Sequence, residues 1–115
     1  MLNTILLSSF LMISPVQMER PCLVLAQGYV ESRLNPYAIG KKKEKGAFQV
    51  RKKYWGKVPR DSRMQIKQYE YIMNIILSEN KGCIKTAIRK YNGKGKAARK
   101  YYCLVRQKAL EIALI

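Results

Sequence analysis

Three breaks limit how this chain can fold. Asn35-Pro36, Asn80-Lys81-Gly82 and Asn92-Gly93 each stop a helix, and the segments between them repeat apolar residues at helical spacing. Pro36 disfavours helical geometry at Asn35. The run from Cys22 to Val30, apolar nearly all round and preceded by Pro21, is therefore expected to be a buried helix ending near 32–35. Residues 39–46 read as a lysine-rich loop punctuated by Gly40 and Gly46. Residues 47–50 read as extended or a short helix, and the stretch through Trp55, Gly56 and Pro59 as irregular. Asp61 or Ser62 can cap a long helix that turns Met64, Tyr69, Ile72, Met73 and Ile76 to one side. A shorter helix carries Ile84, Ala87, Ile88 and Tyr91 on one face. After a basic turn at 94–96, the last helix carries Ala98, Tyr101, Val105 and Ile112 inward. Strand signal is scarce throughout. The fold class expected is a small, mainly α domain with little or no β, spanning 19–115.

Residues 1–18 are apolar and uncharged. The run from Ile5 to Ile13 has the length of a signal-peptide core and is too short to span a membrane. It lacks a basic start and a small-x-small cleavage site. It reads either as an unusual export segment or as an arm packed on the domain.

Charge and chemistry narrow the function. Twenty-three basic residues against 7 acidic give a net charge of +16, which favours anionic partners such as nucleic acid, anionic lipid or an acidic cell-wall polymer. A hydrophobic content of 48% argues for a folded core rather than a disordered chain. The chain has no histidine, so a Ser-His-Asp triad and a His-containing zinc site are excluded. Cys22, Cys83 and Cys103 form no CxxC pair. They read as buried free thiols, with a Cys83–Cys103 bridge in an oxidising compartment as the alternative.

Few acids remain, and Glu31 is placed unlike the others. It ends the apolar helix, with Tyr29, Val30 and Leu34 beside it in sequence. Read alone, it is either an ordinary glutamate on an exposed last turn or an acid whose pKa is raised by desolvation. Holding a glutamate neutral near pH 6 corresponds to about 2 kcal/mol, and a neutral carboxyl beside a cleft can protonate a leaving oxygen.

The surrounding motifs favour the second reading. Glu31-Ser32-Arg33-Leu34-Asn35-Pro36-Tyr37-Ala38 resembles the E-S-x-x-N-P-x-A motif of the soluble lytic transglycosylase (SLT) domain family. Gly46-Ala47-Phe48-Gln49-Val50 is similar to that family's G-L-M-Q-I segment and stands at the family's distance. Ala87-Ile88-Arg89-Lys90-Tyr91-Asn92-Gly93 is similar to its A-x-x-x-Y-N-x-G element, and Tyr101 with Val105 resembles its closing Y-x-x-x-V. The four motifs stand in the family's order over roughly residues 24–105.

This resemblance implies a lysozyme-like helical fold that cleaves the β-1,4 bond between N-acetylmuramic acid and N-acetylglucosamine in peptidoglycan. It implies that Glu31 is the catalytic acid and base. It gives 1,6-anhydro-muramyl products with no cofactor and no metal. It further implies that Ser32 orients substrate, Gln49 lines the cleft, Tyr91 points its hydroxyl toward Glu31, and Asn92 shapes the cleft wall. Asn35, Pro36 and Ala38 would shape the turn. The partners expected are peptidoglycan glycan strands, with a monomeric chain and no specific nucleic acid. The setting would be the bacterial periplasm or envelope, or a phage, secretion or conjugation assembly that opens it.

The sequence departs from the family in its loop, where Lys42-Lys43-Glu44-Lys45 replaces a second glycine, and at Phe48. A proline is also missing after Val50, where Arg51-Lys52-Lys53 follows. Trp55 reads as a core plug or, with Tyr54, as a sugar platform. The lysine clusters read as a solvated face that also attracts the anionic wall. Glu44 or Asp61, if either faced Glu31, would instead suit a hydrolytic muramidase similar to the goose-type lysozymes. From other classes, the alternatives are a basic nucleic-acid-binding protein and an inactive wall-binding module.

Overall fold

The computed structural model describes residues 20–115. The apolar segment at 1–18 lies outside the described residues. Within them the chain is mainly helical: α1 (Arg20–Ser32), α2 (Lys52–Trp55), α3 (Ser62–Glu79), α4 (Ile84–Asn92) and α5 (Gly95–Ala113). Pairing of β type is confined there to isolated bridges, Ile39 with Lys45 and Lys45 with Val50.

Each helix ends where local chemistry requires it. At the C-terminus of α1 the chain turns left-handed at Arg33 (φ 57°) and Leu34 (φ 62°), and the Leu34 N–H reaches back to the Gly28 carbonyl at 3.1 Å. Pro36 then prevents the helix from resuming. The Asn35 side chain accepts the Tyr37 N–H at 2.9 Å, closing the turn. Asp61 caps α3, its carboxylate accepting the N–H groups of Arg63 (2.8 Å) and Met64 (3.1 Å), which contributes about 1 kcal/mol. Beyond α3, Lys81 (φ 55°) and Gly82 (φ 75°) reverse the chain, and the Gly82 N–H returns to the Leu77 carbonyl at 2.8 Å.

The core sits where α5 packs on α1 and α4, and α3 packs on α4 and reaches α1 through Tyr69 and Gln27. Ala98, Tyr101, Tyr102, Val105 and Ala109 are buried along α5, meeting Leu23 and Ala26 of α1 and Ala87 and Ile88 of α4. Burying each large aliphatic side chain contributes roughly 1.5–3 kcal/mol. Aromatic rings join this core to the loop of residues 33–51: Phe48 stacks on Tyr69 with centroids 4.4 Å apart, and Tyr69 meets Tyr91 edge-on at 5.7 Å. Gly28 permits this approach, since a Cβ there would lie 2.7 Å from Leu34 and 3.2 Å from Phe48.

Several local expectations are corrected. Met64 is exposed rather than inward, and its neighbour Gln65 takes the buried place. The Gln65 side chain accepts the Ala47 N–H at 2.8 Å and donates to the carbonyls of Pro36 (2.9 Å) and Pro59 (2.8 Å). Those bonds satisfy three loop groups that would otherwise be buried unpaired, which outweighs the gain from burying a methionine. Residues 47–50 form a tight turn, with only Val50 in a bridge. The stretch before Gly56 contains one helical turn, α2, which was expected to be irregular. Ile112 is half-buried at the rim of the core. Cys83 and Cys103 are exposed and Cys22 is half-buried, so burial is not what occupies these thiols; all three are free.

Candidate active site

The loop of residues 40–51, α2, one flank of α3 and the junction of α4 with α5 enclose a cleft of about 800 Å³. Glu31, Glu44, Gln49, Trp55, Tyr91 and Asn92 line it, with Ile72 and Ile76 as its apolar floor. Lys41, Lys42, Arg51, Lys90 and Lys94 give its walls a positive charge. A second hollow, of about 520 Å³, opens between the end of α1 and α5, lined by Tyr29, Arg33, Leu104 and Lys108 among others. Glu31 lines both. On the second side the Lys108 ammonium stands 4.1 Å over the Tyr29 ring, and the Arg33 guanidinium lies 5.9 Å from it.

The Glu31 carboxyl is held protonated to unusually high pH. Burial among apolar groups is the main cause, and the negative charge of Glu44 adds to it. The Tyr101 hydroxyl works in the opposite direction, and the result is a pKa of about 7. Burial, and then the nearby Glu31 charge, pushes the Tyr91 and Tyr101 hydroxyls well above the ordinary phenol range, so both remain protonated donors. Glu31 is thus a carboxyl that can give a proton near neutrality and take one back.

The other residues singled out in the sequence divide by what their polar atoms do. Gln49 and Asn92 line the cleft. The Gln49 backbone is left-handed (φ 50°), and its side-chain amide donates to the Gly46 carbonyl at 2.9 Å, closing the turn under the cleft. Tyr91 lines the cleft too, but its hydroxyl donates to the Phe48 carbonyl at 2.7 Å rather than to Glu31. Ser32 lies against the second hollow. Its hydroxyl donates to the Ala47 carbonyl at 2.7 Å and accepts the Asn35 N–H at 3.0 Å, so it ties α1 to the loop instead of facing the main cleft. Trp55 both packs on the core and lines the cleft, and exposed Tyr54 stands beside it.

Two side chains near Glu31 were given no site role by the sequence reading. Tyr101 was placed in the core and in the closing motif without a role, yet it favours the charged form of Glu31. Gln27, fully buried within the apolar run of α1, donates to the Tyr101 hydroxyl at 3.0 Å. A polar residue inside an otherwise apolar helix is the signal that could have found it.

Glu44 is the only other acid lining the cleft among the described residues. Its carboxylate accepts the Lys42 N–H at 2.7 Å and lies 3.8 Å from Arg51. A Cβ on Gly40 would displace this carboxylate and the Gln49 amide. Asp61 is occupied as the α3 cap. No grouping of side chains suited to a metal ion occurs among the described residues. No helix among them is long and apolar enough to cross a membrane. No family model, curated protein or solved structure matches the chain.

Proposed function

We propose that this chain is a peptidoglycan lytic transglycosylase of lysozyme-like type. The observation that carries the reading is Glu31: a carboxyl with a pKa of about 7, on the wall of a positively lined cleft. A glycan strand lies along the cleft. The Glu31 proton passes to the oxygen bridging N-acetylmuramic acid and N-acetylglucosamine, and that C1–O bond breaks as the oxygen leaves as an alcohol. The resulting Glu31 carboxylate then takes the proton of the muramyl C6 hydroxyl, whose oxygen bonds to C1 and closes the 1,6-anhydro ring. Glu31 ends protonated, and no water is consumed. One acid suffices because the substrate supplies its own nucleophile, in contrast to the usual carboxylate pair of glycosidases.

Within this reading Tyr91 and Gln49 shape the cleft through the backbone they hold. Tyr54 and Trp55 offer rings for sugar faces, and the lysines draw in the anionic wall. Release of local strand ends suits an envelope process or a phage, secretion or conjugation assembly.

A second reading rests on Glu44. Because it lines the same cleft as Glu31, it can in principle activate a water, which would make the chain a hydrolytic muramidase. Its bonds to Lys42 and Arg51 weigh against that role. Digestion of purified sacculi separates the readings: anhydro-muramyl ends in the products support transglycosylation, and reducing ends with incorporated solvent oxygen support hydrolysis. No cleavage, with retained binding to sacculi, would point to a wall-binding module. Retention on nucleic acid alone would favour the remaining alternative.

A further inference from the structure

Exposure alternates along the turn that follows α1. Pro36, Ala38 and Gly40 are half-buried, while Tyr37 and Ile39 are 78% and 73% exposed. The alternation puts both large side chains on the outer side of the turn. Leu34, 43% exposed, stands just before them. Ile39 faces Lys45 in an antiparallel bridge. The hydrogen bonds on either side of that bridge, from Gly46 N–H to the Ala38 carbonyl (2.9 Å) and from Gly40 N–H to the Glu44 carbonyl (2.8 Å), make it a close, unbonded pair. The Ile39 and Lys45 side chains therefore lie side by side on one face. Exposed basic residues flank the apolar tip, Arg33 before it and Lys41, Lys42, Lys43 and Lys45 after it. Glu44, the one acid between positions 33 and 45, is engaged by the Lys42 N–H and lies near Arg51.

We propose that this tip docks the protein on an anionic lipid surface: Tyr37 and Ile39 enter the headgroup layer, and the flanking lysines meet lipid phosphates. An apolar patch rimmed by charge marks an interaction surface, and a tyrosine suits the boundary between headgroups and chains. The backbone of the tip is prepared for such a medium. The N–H groups of Asn35, Tyr37 and Ala38 and the carbonyls of Asn35, Pro36 and Ala38 are all bonded within the protein, so partial burial in lipid strands none of them. A projecting tip offers a protein partner neither a groove nor a flat face, and aliphatic Leu34 and Ile39 add nothing to binding of a nucleic-acid backbone. The tip runs into the cleft wall at Gly40 and Lys41, so docking holds the cleft beside the bilayer.

The test is cosedimentation of the full chain with phosphatidylcholine vesicles, with and without about one third phosphatidylglycerol. Wild type should partition onto the anionic vesicles and not onto the neutral ones. A net charge of +16 would draw any basic face to such vesicles, so the deciding variant leaves charge untouched. Tyr37→Ser with Ile39→Ser should lower the partition constant by about tenfold or more. Lys43→Asn with Lys45→Gln, neither residue lining the cleft, should lower it by a similar factor. Insertion has its own readout in Tyr37→Trp, which also carries the test should the serine variant fail to fold. On anionic vesicles its emission should shift to the blue and be quenched by brominated lipid chains more than that of Trp55 in wild type. Partitioning of the folded serine variant within about twofold of wild type would overturn the proposal, because charge alone would then hold the protein. So would absence of wild type from anionic vesicles, whether or not it binds nucleic acid, or a Tyr37→Trp emission that vesicles leave unchanged. Neither readout requires glycan cleavage, so failure of the transglycosylase reading would leave the result intact.

Discussion

The Tyr101 hydroxyl, on the last helix, accepts the Gln27 amide at 3.0 Å and favours the charged form of the Glu31 carboxyl at the end of the first, opposing the burial that raises that carboxyl's pKa. Tyr101 and Glu31 are remote in sequence and approach because α1 and α5 form the most extensive helix pair of the fold. Tyr101→Phe removes a hydroxyl that favours the charged form. The Glu31 midpoint should therefore rise above about 7, and the alkaline limb of the pH–rate profile should rise with it. The Gln27 amide loses its acceptor in the same variant, so stability should fall by about 1–3 kcal/mol in urea unfolding.

Glu31 should also limit the stability of the fold. Its folded pKa of about 7 lies above the ordinary value of 4.5. Below pH 4.5 the carboxyl is neutral in both folded and unfolded chains and imposes no penalty. Between pH 4.5 and 7 the unfolded chain loses its proton first, so folding is progressively disfavoured, and above pH 7 the penalty is constant. Glu31→Gln should thus stabilise the protein by up to about 3 kcal/mol at pH 8 and by little at pH 4. Thermal unfolding across that range checks it.

Gln65 should matter to the cleft although it touches no substrate. Its side chain holds Ala47, Pro36 and Pro59 together beneath the loop that carries Gln49. Gln65→Ala leaves three backbone groups without a partner and should cost about 3 kcal/mol or more. Hydrogen exchange at the Ala47 amide should accelerate more than exchange in α5, showing that the loop opens before the helices do.

Ser32 distinguishes a tether from a substrate contact. With its hydroxyl engaged by Ala47 and Asn35, Ser32→Ala should lower stability by about 1 kcal/mol. Cleavage of sacculi at a temperature where the variant is folded should show an unchanged KM. A raised KM at undiminished stability would mean that the hydroxyl turns to substrate.

What the sequence made legible follows from the range over which each signal acts. The caps and breaks at Asp61, Pro36, Gly82 and Gly93 are local, and they mark α1, α3, α4 and α5 closely. Glu31 was singled out through its neighbours in order along the chain. What escaped depends on groups distant in sequence. Periodicity placed Met64 inside and ignored Gln65, because hydropathy cannot see three loop carbonyl and amide groups waiting for partners. Gln27 was absorbed into an apolar run for the same reason. Tyr101 was read as core and as part of the closing motif, and it is core; its effect on Glu31 depends on two helices remote in sequence. The Ser32 and Tyr91 hydroxyls were expected to face the cleft chemistry, whereas the backbone of the 46–48 turn claims both.

The most direct test of Glu31 as the acid is digestion of purified peptidoglycan by wild type and by Glu31→Gln, with the soluble products identified by mass. Wild type should release anhydro-muropeptides. The variant, folded and at least as stable, should release them more slowly by roughly 10²-fold or more. Equal release by the two proteins would contradict the assignment of Glu31.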